Sequence, residues 1–114
     1  MPQRVEAGWV ERRLEEGDAA VLAVVPAEEF ERGHLPGAVN IPLQEESLPS
    51  SVEDIVPDKE ATVIVYGDGV DSQAASRAAR MLESLGYRRV FEFKAGLPGW
   101  TRTGHAVEEG HAAA

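Results

Sequence analysis

Apolar and polar positions fall into short blocks that switch between a helical and an extended period. Residues 3–16 repeat with the helical period and place Trp9, Val10 and Leu14 on one face. Gly17 follows, where a helix end favours a residue at ease in the left-handed region. The run 20–25 (AVLAVV) is continuously apolar and rich in valine, as expected of a strand buried on both faces of a sheet. Residues 26–32 predict a short helix with Phe30 as its core contact, and 33–38 (GHLPGA) a turn punctuated by Gly and Pro. A second short strand is expected over 39–43. Ser50 and Glu53 stand at capping-box spacing, which opens a brief helix through Ile55, and 57–60 read as a polar turn.

The clearest strand is 62–66 (TVIVY), followed by a loop rich in Gly and Asp, 67–73 (GDGVDSQ). A helix then carries Ala74, Ala78, Met81, Leu82 and Leu85 inward and ends at Gly86. A last strand is expected over 90–93, after which AGLPGW turns the chain into a terminal segment carrying Trp100. Strands alternating with helices predict an α/β domain with a mostly parallel sheet. Such sheets place ligands beyond the carboxyl ends of their strands, which here points to the loop after Tyr66.

Length and composition narrow this picture. The chain has 114 residues, 43% of them hydrophobic and 27% charged, enough for one compact domain and too few for two. The expected domain covers 1–107, with 108–114 as a polar, Ala-rich frayed tail. No apolar run reaches the length of a membrane span, and the first residues carry no apolar signal region, so a cytoplasmic location is expected. The net charge of −9 would repel phosphate backbones and anionic lipid, which argues against nucleic-acid and membrane partners. Nine of the 11 basic residues are Arg, and Asn and Met are scarce, a bias shared by thermophilic and GC-rich sources. Cysteine is absent, which removes disulfides, thiolate metal sites and every cysteine nucleophile.

Three stretches resemble the rhodanese-like family, in the family's order. AEEFERGHLPGAVNIP (27–42) is similar to its E-[YF]-x-x-G-H-I-P-G-A-x-N-I-P signature. VIVYGDGVDSQAASRAARMLESLGY (63–87) is similar to its strand, active-site loop and helix, and VFEFKAGLPGW (90–100) to its closing V-x-x-L-x-G-G-x-x-x-W. The resemblance spans roughly residues 5–107. It implies a five-stranded, mostly parallel sheet with helices on both faces. It also implies a cradle of backbone N–H groups at a helix N-terminus, where the family holds a persulfide-carrying cysteine. Convergent N–H dipoles and the helix end stabilise a thiolate there, and would hold an anionic substrate.

This chain departs from that pattern at the nucleophile. The family's cysteine directly follows the strand, where Gly67 stands. Anchoring on the downstream helix moves the position to Gly69, and longer loops can carry a cysteine at the position of Ser72. No placement yields a thiol. The loop carries Asp68 and Asp71 where the family commonly carries Arg. Two carboxylates at ~5–8 Å in a poorly solvated cleft would repel an anion by about one to a few kcal/mol. A helix terminus typically offers only about 0.3–1 kcal/mol in return.

Other chemistries have bland alternatives. Ser72 as a nucleophile needs a base within reach, and helix capping by Asp71 or Ser72 is the simpler role. Asp68 and Asp71 lack the later Glu of a calcium loop, so no metal is expected. No cofactor is implied. His34 fits a turn-fixing hydrogen bond better than acid–base work, and Tyr66 and Trp100 fit core and rim packing. Arg77 projects from the loop helix, where it would offset Asp71.

The leading expectation is a catalytically silent domain acting as a binding or regulatory module. Its surface would be Gly67, Asp68, Gly69, Val70, Asp71, Ser72 and Gln73, with the neighbouring His34, Pro36 and Gly37. The partner, protein or small ligand, is not named by the residues. The alternative is a sulfurtransferase-related enzyme using a noncysteine route. A third reading is a structural domain of a homodimer that buries the loop.

Overall fold

A computed structural model describes residues 3–41, 48–67 and 73–109, the side chains of 48–51 excepted. Its elements in chain order are β1 (Gln3–Arg4), α1 (Ala7–Glu16), β2 (Ala19–Ala23), α2 (Ala27–Arg32) and β3 (Val39–Asn40). They continue with α3 (Leu48–Ile55), β4 (Thr62–Tyr66), α4 (Ala74–Ser84), β5 (Arg89–Phe93) and α5 (Gly96–Arg102). The five strands form one sheet in the order β1-β5-β4-β2-β3, every pair parallel, as the α/β reading requires.

β4 lies at the centre, and its alternation divides the core. Val63 and Val65 face α3 and α4 in a cluster with Leu22, Val52, Ala78, Ala79 and Leu82. Ile64 and Tyr66 face the other layer, with Val10 of α1, Phe30 of α2 and Trp100 of α5. A strand covered on both faces has no solvent side, which is why its sequence shows no polar alternation. On α4 the buried residues are Ala75, Ala78, Ala79 and Leu82, while Ala74, Met81 and Leu85 pack partly buried on the same core.

Several local expectations shift. Residues 3–4 are an edge strand paired with Phe91 and Glu92 instead of the first turn of a helix, which begins at Ala7. Gly17 does end α1 in the left-handed region, at φ 66°. The strand expected over 39–43 is two residues long, and Leu43 lies outside the described residues. α3 begins at Leu48, so Ser50 sits within the helix and not at its cap. AGLPGW forms most of α5 instead of a turn. Pro98 falls in the first turn of that helix, where backbone N–H groups have no intrahelical partner to lose. Glu108, expected to begin a frayed tail, is paired with His34 in an antiparallel bridge. Among the described residues, no helix is long and apolar enough to cross a membrane.

Candidate functional site

From β4 the chain continues through α4 to β5 on one side of the sheet, whereas β2 leads through α2 to β3 on the other. The connections therefore diverge between β2 and β4, and a crevice opens outside their carboxyl ends. A cleft of about 410 Å³ lies there, lined by Val25 beyond β2, Tyr66 and Gly67 at the end of β4, Glu29, Arg32 and Gly33 around the end of α2, Leu97, Pro98 and Thr101 of α5, and Val107. The expected nucleophile position, Gly67, is thus a buried wall of a real cavity.

Among the described residues, the walls of that cavity offer containment and little reactivity. Val25, Leu97, Pro98 and Val107 supply apolar walls, while Glu29 and Arg32 bring one charge of each sign. The Thr101 hydroxyl lies 3.2 and 3.1 Å from the carbonyls of Leu97 and Pro98, bonding within its own helix. Tyr66 is buried, and its hydroxyl accepts the Leu35 N–H at 3.2 Å. Burial pushes the Tyr66 phenol up to about 12, with the Leu35 bond partly opposing the shift, so it stays a neutral tether.

His34 has a structural setting. Its ring stacks on Phe30 with centroids 3.7 Å apart and planes within 4°, and Nδ1–H donates to the Phe30 carbonyl at 2.7 Å. A carbonyl partner requires a proton on Nδ1, and Nε2 faces Glu108 Oε1 at 3.9 Å. Gly37 turns at φ 76° and donates its N–H to Glu108 Oε1 at 3.0 Å. Pro36 belongs to a separate hollow of about 270 Å³ shared with Glu11, Glu15, Trp100 and His105. The structure therefore joins Gly67 to Gly33 of the turn, but not to Pro36.

Of the expected loop residues, Asp68, Gly69, Val70, Asp71 and Ser72 lie outside the described residues. Gln73 is exposed and precedes α4, its carbonyl accepting the Arg77 N–H at 2.9 Å. Among the described residues, no group of three or more His, Asp or Glu side chains could hold a metal ion.

One polar cluster escaped the reading from sequence. Glu92 is 5% exposed on the α4 side of β5 and accepts the Ser76 hydroxyl at 2.6 Å. Lys94 Nζ lies 3.6 Å from the Glu92 carboxylate and 3.2 Å from Ser76 Oγ. The cluster sits on the sheet face opposite the cleft, where it joins β5 to the first turn of α4. A single Glu between two Phe in a strand was its only trace in the sequence.

Comparison with known proteins locates these features. The rhodanese-like domain family matches residues 6–103. The HTH-type transcriptional regulator Rv0324 of Mycobacterium tuberculosis is 33% identical over 99 residues, which cover 87% of this chain and 42% of the regulator. The chain therefore spans less than half the length of that relative. The crystal structure of Alr3790 from Anabaena sp. superposes with a TM-score of 0.81 at 30% identity, covering 93% of this chain and 80% of that one. A thiosulfate sulfurtransferase from Pseudomonas aeruginosa gives 0.82 at 27% identity, covering 95% of this chain and 20% of that protein.

Proposed function

Because the chain belongs to the rhodanese-like domain family and contains no cysteine, we propose that it is a catalytically silent binding or regulatory module. Its recognition face is the cleft beside Gly67, the residue at which the chain enters 67–73. The single observation carrying this reading is a cavity of about 410 Å³ lined by Gly67, the residue directly after the central strand, where the family resemblance implies a nucleophile. Sulfur transfer through a persulfide needs a thiolate, and a hydroxyl cannot substitute for it.

The surroundings support binding over a noncysteine enzyme. A serine route requires a histidine or similar base within reach. Of the two histidines among the described residues, His34 is buried with Nδ1 on the Phe30 carbonyl and Nε2 facing Glu108, and His105 lies between Thr103 and Glu11. A regulatory role also agrees with the relative from M. tuberculosis, which is named a transcriptional regulator. The location that fits the composition is the cytoplasm, and the acidic surface fits a protein or small-molecule partner better than nucleic acid.

The test is a differential capture. Proteins retained by the native chain are compared with those retained by Leu97→Glu, which puts a charge into the cleft wall, and by Arg80→Glu, an exposed position on α4. The reading expects partners lost with the first variant and kept with the second. Partners indifferent to Leu97→Glu would move the recognition face elsewhere.

A further inference from the structure

The segment after α5 is held in two different ways along its length. Its root is anchored firmly. Gly104 turns the chain at φ 82°, and His105 then stacks on Trp100 with centroids 4.2 Å apart. His105 Nε2 lies 3.2 Å from a Glu11 carboxylate oxygen, and Nδ1 lies 2.7 Å from the Thr103 hydroxyl. The Trp100 indole N–H donates to the Ala106 carbonyl at 2.8 Å.

Beyond Ala106 the hold is lighter. Glu108 and His34 exchange both backbone hydrogen bonds at 2.9 Å, as an isolated bridge outside the strands among the described residues. The Glu108 side chain is 56% exposed where it accepts the Gly37 N–H. Val107 lines the cleft yet stays 36% exposed, packing on it by one edge. Few buried contacts and water-accessible hydrogen bonds are the features of a segment that opens without global unfolding.

We propose that residues 107–108 form a displaceable strap, hinged at Ala106, that makes one wall of the cleft beside Gly67. Its release removes Val107 from the cleft and frees the His34 N–H and carbonyl to pair with an incoming extended chain. The turn at 33–38 is then a strand-addition site that this chain fills with its own segment. The strap's opening stands independently of any partner. That its opening regulates binding rests on the cleft being the recognition face.

Native-state hydrogen exchange on the whole chain tests the opening. The amides of His34 and Glu108 are expected to exchange with one shared opening constant, at least tenfold larger than that of Ile64 in β4. Glu108→Ala should speed His34 and Gly37 by a further tenfold or more and leave Ile64 unchanged. Exchange of His34 and Glu108 only at the rate of Ile64, in both proteins, would overturn the strap.

A lock tests the gating. Antiparallel partners that exchange both hydrogen bonds lie about 5.5 Å apart at Cα, inside the roughly 4.4–6.8 Å that a disulfide spans. His34→Cys with Glu108→Cys therefore allows closure in a chain free of other thiols. Nile red, a neutral apolar dye, should brighten in the cleft when this pair is reduced and dim when it is oxidised. Equal emission in both states, with exchange still showing an open strap, would refute gating. If the double variant fails to fold, the Glu108→Ala protein is compared with the native chain using the same dye. Brighter emission supports gating, and unchanged emission refutes it.

Discussion

Tyr66 joins the end of the central strand to the turn that carries His34, so Tyr66→Phe isolates one tether. The change removes the hydroxyl that accepts the Leu35 N–H, and Leu35 is fully buried, so no water replaces the lost partner. Leaving a buried donor unpaired costs about 1–3 kcal/mol. The bond is 3.2 Å long, at the weak end for N–H···O, which puts the expected loss at about 1–2 kcal/mol. At ~2.1 cal/mol/K per residue, 114 residues give an unfolding entropy of about 240 cal/mol/K. Each kcal/mol then moves Tm by about 4 °C, so Tm should fall by about 4–8 °C.

The same residue sets a pH dependence. Between pH 10.0 and about 12 the unfolded chain releases the phenol proton while the folded chain keeps it. The folded state then binds more protons, and stability falls as pH rises through that window, by roughly 3 kcal/mol in total. Burial raises Tyr87 as well, which adds to the loss with the same sign. Urea titrations at pH 7 and along the alkaline limb should show a lower midpoint for Tyr66→Phe at pH 7 and a shallower alkaline decline. A variant as stable as the native chain at pH 7, with an identical alkaline limb, would refute both the tether and the burial argument.

Further perturbations reach other parts of the fold. Ser76→Ala leaves the buried Glu92 carboxylate without its 2.6 Å donor and should cost about 1.5–3 kcal/mol, read from urea midpoints at an unchanged slope. Gly17→Ala forces a Cβ into the left-handed region at φ 66° and should cost about 1–2 kcal/mol by the same assay. Leu82→Ala opens a cavity between α4 and the sheet and should cost about 2–5 kcal/mol, with thermal unfolding as the check.

Where one local signal decides the structure, the chain was legible. Residues 62–66 read as a buried strand because an apolar β-branched run has few other uses, and that strand spans those residues in the fold. Gly17 and Phe30 were readable for the same reason, one as a backbone requirement and one as the apolar residue of a polar helix. The edge strand at Gln3–Arg4 was hidden because its partners, Phe91 and Glu92, lie at the far end of the sequence. α5 was hidden because Gly and Pro dominate its first residues, and their cost vanishes in the first turn of a helix.

Glu92 shows what periodicity omits. Strand alternation separates it from Phe91 and Phe93, and a charged residue facing away from two Phe reads as solvent-facing. A serine from α4 and a lysine just past the end of the strand make burial tolerable instead. Gly67 was legible as the residue directly after the central strand, whereas the cleft it lines depends on α5 and Val107, which come from a different part of the chain.

The most direct measurement is thiosulfate:cyanide sulfurtransferase activity of the purified native chain, run beside Gly67→Cys. The account predicts no thiocyanate above the uncatalysed background from the native protein, since no residue of the chain can carry a persulfide. Any turnover by the Gly67→Cys protein then measures whether a thiol at that position suffices for sulfur transfer. Turnover by the native chain itself would contradict the silent-module account.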